Sequence, residues 1–155
     1  EHCMVWNDKV RALGIAGESR GEIYNIIFRR CTVLHSLADW AAEVGALCVV
    51  LCDAGTVHDI VFEQIDVLDE RANGINCMLF RDRWSTDTQA GHIRAICFRD
   101  ISLPKNVSVR LWGYDAAHRV EDILLQNVHM EEAEAPWLDS NVYTSEIQVR
   151  GTRNE

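Results

Sequence analysis

The chain has 155 residues, 48% of them hydrophobic, and carries a formal net charge of −9, enough for one core and too little for two ordinary domains. The acidic balance leaves no basic stripe to meet phosphates, which excludes a nucleic-acid partner. No apolar run approaches the roughly 18 residues that a membrane-spanning helix needs.

Taken in order, the first apolar run is Ala12-Leu13-Gly14-Ile15, followed by Ile23-x-x-Ile26-x-Phe28-x-x-Cys31-x-Val33. Ser36 to Leu47 is compatible with a short helix inside a loop. Leu47 to Leu51 then precedes Val57-x-x-Ile60-x-Phe62-x-x-Ile65-x-Val67, and Asn76 to Phe80 precedes Ile93-x-x-Ile96-x-Phe98-x-x-Ile101-x-Leu103. Val107 to Trp112 leads into Val120-x-x-Ile123-x-Leu125-x-x-Val128-x-Met130. One five-position template thus recurs in four copies, at intervals of 34, 36 and 27 residues.

The template is strand-like. Residues two apart share a face, so Ile26 pairs with Phe28 and Cys31 with Val33, and the three-residue step from Phe28 to Cys31 implies a bend. A helical repeat needs a 3.6-residue period, which these segments lack. One period therefore holds about three short strands, the content of one coil of a parallel β-helix. Stacking the copies places Arg29, Glu63, Arg99 and Gln126 in one exposed column, where opposite charges alternate favourably. A second outward column, Ile27, Val61, Cys97 and Leu124, is apolar, so either a loop or tail covers it or it supports self-association. Cys3-x-Val5 matches the end of a copy one coil earlier, so the chain is expected to start in mid-coil, as a C-terminal piece of a longer solenoid. Residues 131–155 are expected as a tail or cap on a single domain spanning 1–155.

Six cysteines, at positions 3, 31, 48, 52, 77 and 97, lie mostly inside apolar runs. Their spacing fits neither a disulfide framework nor a zinc site, and free thiols acting as small hydrophobes are expected.

Trp6-Asn7-Asp8, Ser19-Arg20-Gly21, the strand Ile23 to Phe28 and Val33-Leu34-His35 resemble the late coils of dextranase- and isopullulanase-type hydrolases. Gly113-Tyr114-Asp115-Ala116-Ala117-His118, ahead of Val120-Glu121-Asp122-Ile123, is similar to the C-terminal coils of polygalacturonase-like proteins. The resemblance implies an all-β fold, the right-handed parallel β-helix of pectin-lyase-like solenoids, with about four to five coils. It also implies a polysaccharide-acting glycoside hydrolase, an oligo- or polysaccharide partner and a secreted or periplasmic setting. The N-T-D, D-D, G-H-G and R-I-K motifs of polygalacturonases are absent. The dextranase-type Asp-Asp segment aligns before Glu1, so this chain alone is expected to be inactive.

Glycoside hydrolysis uses two carboxyl groups. The polar positions after the last strand of each copy align as Asn7, His35, Asp69, Lys105 and Glu132, beside Asp8, Ser36, Glu70 and Asn106. Asp8 and Glu70 are then two coils apart, roughly 10 Å, near the upper end for inverting enzymes. His35 falls between Asn7 and Asp69, within reach of an imidazole–carboxylate pair. Asp8, Glu70, His35 and Asp69 are the catalytic candidates; a solvated turn column explains them equally. Trp112, Tyr114 and His118, with Asp115 or Asp82 accepting hydroxyl protons, are candidates for sugar binding, although Trp112 also fits as the plug of a corner after Val107, Val109 and Leu111. Trp137 is expected to pack the tail onto the core. Serine-nucleophile and phosphate-loop motifs are missing. Asp66, Asp69 and Glu70 are the only tight acidic group suited to calcium, and turn solvation accounts for them. Neither a metal nor a cofactor is expected.

Overall fold

In the computed structural model, which describes residues 1–37, 44–105, 107–131, 136–151 and 153–154, the chain passes alternately between two all-parallel sheets. The strands are β1 (Met4–Asn7), β2 (Leu13–Gly17), β3 (Glu22–Ser36), β4 (Leu47–Leu51), β5 (Thr56–Val67), β6 (Ile75–Leu79), β7 (His92–Leu103), β8 (Val109–Trp112), β9 (Val120–Met130), β10 (Leu138–Ser140), β11 (Thr144–Arg150) and β12 (Arg153–Asn154). One sheet is ordered β1-β3-β5-β7-β9-β11, with β12 also against β9; the other is β10-β8-β6-β4-β2. The described residues contain no helix. The helix expected within Ser36 to Leu47 falls largely on residues 38–43, outside the described residues.

The template copies pair residue for residue. Ile26, Ile60, Ile96 and Ile123 are successive partners, as are Phe28, Phe62, Phe98 and Leu125. Their side chains enter a single core in which Phe62 and Phe98 are fully buried. The rings of Phe28, Phe62 and Phe98 stack at centroid spacings of 4.7 and 4.8 Å, which is the strand spacing itself. Ile26 and Phe28 are only partly buried, because β1 pairs with β3 only from Thr32 onward. The charge column forms as expected: Arg29 reaches Glu1 at 3.1 Å and Glu63 at 3.5 Å, and Arg99 also pairs with Glu63.

Each long strand bends twice, not once. The expected bend sits at Arg30, Gln64, Asp100 and Asn127, all left-handed with φ between 51 and 55°. A second left-handed column runs through Asn25, Asp59, Ala95, Asp122 and Glu146. Such angles disfavour most L-residues, and Asn and Asp tolerate them best. Hydrogen bonds along the first column, Arg30 Nε to Gln64 Oε1 at 3.1 Å and Asn127 Nδ2 to Asp100 Oδ1 at 2.8 Å, tie neighbouring bends together.

At its central strands, β4 and β6, the second sheet is covered on both faces, as parallel sheets usually are. In β4, Leu47, Val49 and Leu51 join the main core, while Cys48 and Val50 form a smaller outer cluster with Met78. All six cysteines are free thiols. Burial pushes the Cys48 thiol up to about 11 and that of Cys77 higher still.

Two expectations change. The segment after residue 131 does more than cap: β10 and β11 add a strand to each sheet, pairing with β8 and β9. Trp137 packs against the core as expected. Trp112 plugs no corner: alternation along β8 buries Val109 and Leu111 and turns Trp112 outward against the Arg110 guanidinium, 5.0 Å from its ring centre. In the outward apolar column, Ile27 is 54% exposed and Val61, Cys97 and Leu124 are half-buried.

Candidate functional site

The most developed polar cluster forms where β1 meets the end of β3. Val5 pairs with Val33, but Trp6 pairs with His35, so Leu34 is an extra residue in β3. This bulge moves Asn7 opposite Ser36, one place from the expected register, and re-aims the side chains that follow. Trp6 now lies over the His35 ring, with centroids 4.7 Å apart, while remaining 67% exposed. Asn7 is spent on structure: its carbonyl accepts from the N–H groups of Lys9 and Val10, and its amide donates to the Arg11 carbonyl.

His35 is buried between two carboxylates. Its Nδ1 lies 2.5 Å from Asp69 Oδ2 and its Nε2 lies 3.1 Å from Asp8 Oδ1. Burial pushes the Asp69 carboxyl up, but hydrogen bonds from the Arg71 N–H, the Arg71 side chain and the Ser36 N–H outweigh it and hold the acid below its ordinary value. Carboxylate oxygens only accept, so an N–H at Nδ1 donates to Asp69 and an N–H at Nε2 donates to Asp8. Arg71 pairs with the buried acid through Nε–H, 3.1 Å from Asp69 Oδ1, and its Nη2 lies 2.9 Å from His35 Nδ1. Asp8 is open to solvent on 69% of its side chain and also accepts from Trp6 Nε1–H at 3.0 Å.

The structure thus brings Asp8, His35 and Asp69 together and adds Trp6 and Arg71. Glu70 is exposed in the turn after β5 and joins none of these hydrogen bonds. The expected Asp8–Glu70 pair therefore gives way to an Asp8–His35–Asp69 chain. Asn106 and Glu132 lie outside the described residues. Among the described residues, no group of three His, Cys, Asp or Glu is placed to hold a metal ion.

The second set separates into parts. Asp115 accepts from the N–H groups of Ala117 and His118 and from His118 Nδ1, each at 2.8 Å. Burial raises the Asp115 carboxyl less than these bonds lower it. Tyr114 meets His118 edge-on at 6.5 Å, and His92 lies 5.4 Å from the same imidazole. Trp112 is held by Arg110, itself bonded to Asp139 at 3.2 Å. Asp82 belongs elsewhere, lining a cavity with Phe80 and Trp84.

A second histidine cluster was not among the candidates. His58 donates or accepts between Asp59, 2.6 Å from Nδ1, and Glu22, 2.9 Å from Nε2, and stacks on Tyr24 at 5.2 Å. Its signal was present in the aligned column Tyr24, His58, Arg94 and Glu121. The hydrogen bonds to Asp59 and then Glu22 raise the His58 pKa above its ordinary 6.5, with Arg94 opposing. A raised folded pKa contributes stability that is full below the unfolded value and lost as pH climbs through the folded one. The melting-temperature gap between wild type and His58→Gln should therefore be widest below about pH 6.5 and shrink as pH rises above it. A gap that widens over that range would contradict the assignment.

No protein-family model, curated protein or solved structure matches the chain.

Proposed function

We propose that this chain is a right-handed parallel β-helix portion of a polysaccharide-acting glycoside hydrolase of the polygalacturonase or dextranase type, and that its own role is to hold saccharide rather than to cleave it. The strand pairs β2–β3, β4–β5, β6–β7, β8–β9 and β10–β11, one strand per sheet, are the repeated coils. Parallel strands joined by crossovers favour the right hand.

The observation that carries the binding role is the pairing of exposed Trp6 with exposed Asp8 on a rigid support. An indole offers an apolar plane to a sugar ring at little entropic cost. Asp8 keeps acceptor capacity for hydroxyl groups, and buried His35, itself fixed by Asp69 and Arg71, holds it in place. Hydrolysis asks for a second carboxyl facing the same glycosidic oxygen. Asp69 is buried and committed to His35, Arg71 and Ser36, so the site has one open acid. The same geometry serves a non-catalytic carbohydrate-binding or adhesion module.

Reducing-end release from polygalacturonate, dextran and pullulan should match a buffer control. Affinity for oligosaccharides of one of these polymers should fall roughly tenfold in Trp6→Ala and severalfold in Asp8→Asn. Turnover that Asp8→Asn or Glu70→Gln abolishes would show an active site and overturn the binding-only reading; unchanged affinity in both Trp6→Ala and Asp8→Asn would remove the site.

The open Ile27 edge favours a second reading, self-association through Ile27, Val61, Cys97 and Leu124. Sedimentation should then show a dimer or larger species that Ile27→Glu disperses; a monomer at all concentrations would rule it out.

A further inference from the structure

A cavity of about 120 Å³ opens beside the outer cluster of the second sheet, between β2, β4 and the segment that follows β6. Its apolar wall is Ala16, Val50 and Phe80, and Trp84, 55% exposed, stands at its side. Three charged side chains also line it: Arg11, Glu18 and Asp82.

Two observations point to a ligand. The first is that Arg11 Nε is buried and has no hydrogen-bond partner. The Arg11 side chain also hydrogen-bonds the Cys48 thiol, so the guanidinium is held where it lines the cavity, and its further N–H groups suit an acceptor oxygen of a ligand. The second is that the Trp84 segment is held in advance. Asp82 Oδ1 accepts from the Trp84 N–H at 2.6 Å, and the Asp82 N–H donates to Ser85 Oγ at 3.0 Å. Fully buried Asp53 then accepts from the Thr86 N–H at 2.7 Å and the Asp87 N–H at 2.9 Å, anchoring the segment to the turn after β4. A rim built in this way loses little entropy when it closes on a ligand.

The lining also selects the ligand's chemistry. An aromatic and aliphatic wall asks for a flat apolar face, and two carboxylates ask for hydroxyl donors. One arginine N–H asks for an acceptor. Arg83 stands over the Trp84 ring, 4.7 Å from its centre, so two acids are met by two bases and a neutral ligand suits the site. We propose that this cavity binds one hexopyranose ring of a neutral saccharide, with the ring face on Trp84 and Phe80, hydroxyls on Asp82 and Glu18, and an oxygen on the Arg11 guanidinium. It is a site of its own and stands whether or not the Trp6 face binds.

The test is a titration of the protein, followed by NMR, with the methyl α-glycosides of glucose, mannose and galactose, and with galacturonate. At least one neutral glycoside should bind in the millimolar range. Measured in a Trp6→Ala background, which removes any contribution of the other face, Trp84→Ala should weaken it roughly tenfold or more and Asp82→Asn severalfold. Trp84 is exposed, so its removal spares the core, and circular dichroism confirms the fold of each variant. The proposal is overturned if no neutral glycoside binds at about 50 mM, if galacturonate binds more tightly, or if Trp84→Ala binds like its Trp6→Ala parent. Loss of binding in Trp6→Ala alone would assign the signal to the other face.

Discussion

Phe62→Ala should lower the free energy of unfolding by about 3–5 kcal/mol, read from the midpoint of urea denaturation followed by circular dichroism. Phe62 is fully buried and sandwiched between Phe28 and Phe98, 4.7 and 4.8 Å away. Its removal deletes contacts to both neighbouring strands and leaves a cavity that β5, paired along its length with β3 and β7, cannot collapse to fill. Phe62→Leu should cost less, about 1–2 kcal/mol, since the same column holds Leu125 and the core there accepts that shape. Equal costs for the two variants, or a loss below about 1 kcal/mol for alanine, would mean that the stack is not continuous.

Asp69→Ala should cost about 3 kcal/mol and Asp69→Asn about 2 kcal/mol. The buried carboxylate accepts from the N–H groups of Ser36 and Arg71, from His35, and from the side chain of Arg71, which is itself exposed. Alanine leaves those donors unmet. Asparagine keeps one acceptor oxygen but removes the charge that Arg71 balances. Asp8→Asn, at an exposed carboxylate, should stay within about 0.5 kcal/mol of wild type. The contrast separates the supporting acid from the open one; comparable losses at both positions would contradict that division.

Much of the architecture was legible because the template occupies inward positions at a fixed spacing. Five apolar positions set the register of β3, β5, β7 and β9, and the alternating charges of Arg29, Glu63 and Arg99 followed from it. The step from Phe28 to Cys31 marked one bend. The equal step from Ile23 to Ile26 carried the same message for the other bend, with Asn25, Asp59 and Asp122 as suitable residues, but Ala95 and Glu146 blur that column. The strand pair after residue 136 escaped because Thr144 replaces the first apolar position, leaving only Ile147 and Val149 to mark the copy.

The site was half legible. His35 and Asp69 aligned in neighbouring copies, and their contact is real. Leu34 as a bulge has no sequence signature, so the register of Trp6, Asn7 and Asp8 was set one residue off, and Glu70 was paired with Asp8 in place of the imidazole. Arg71 escaped as well, since its approach to Asp69 depends on the path of a turn rather than on strand periodicity. Trp84 lay outside every copy of the template, in a segment whose course is set by buried Asp53.

The central claim, saccharide held at the Trp6–Asp8 face without cleavage, is tested most directly by one NMR titration. Oligosaccharides of dextran, pullulan and polygalacturonate are added in turn, while the indole N–H of Trp6 and the anomeric protons of the sugar are followed together. For at least one series the Trp6 resonance should shift and saturate, because its Nε1–H is bonded to Asp8, and the anomeric signals should remain those of the intact oligosaccharide. A Trp6 resonance unmoved by all three, or the growth of new reducing-end signals, would contradict the account.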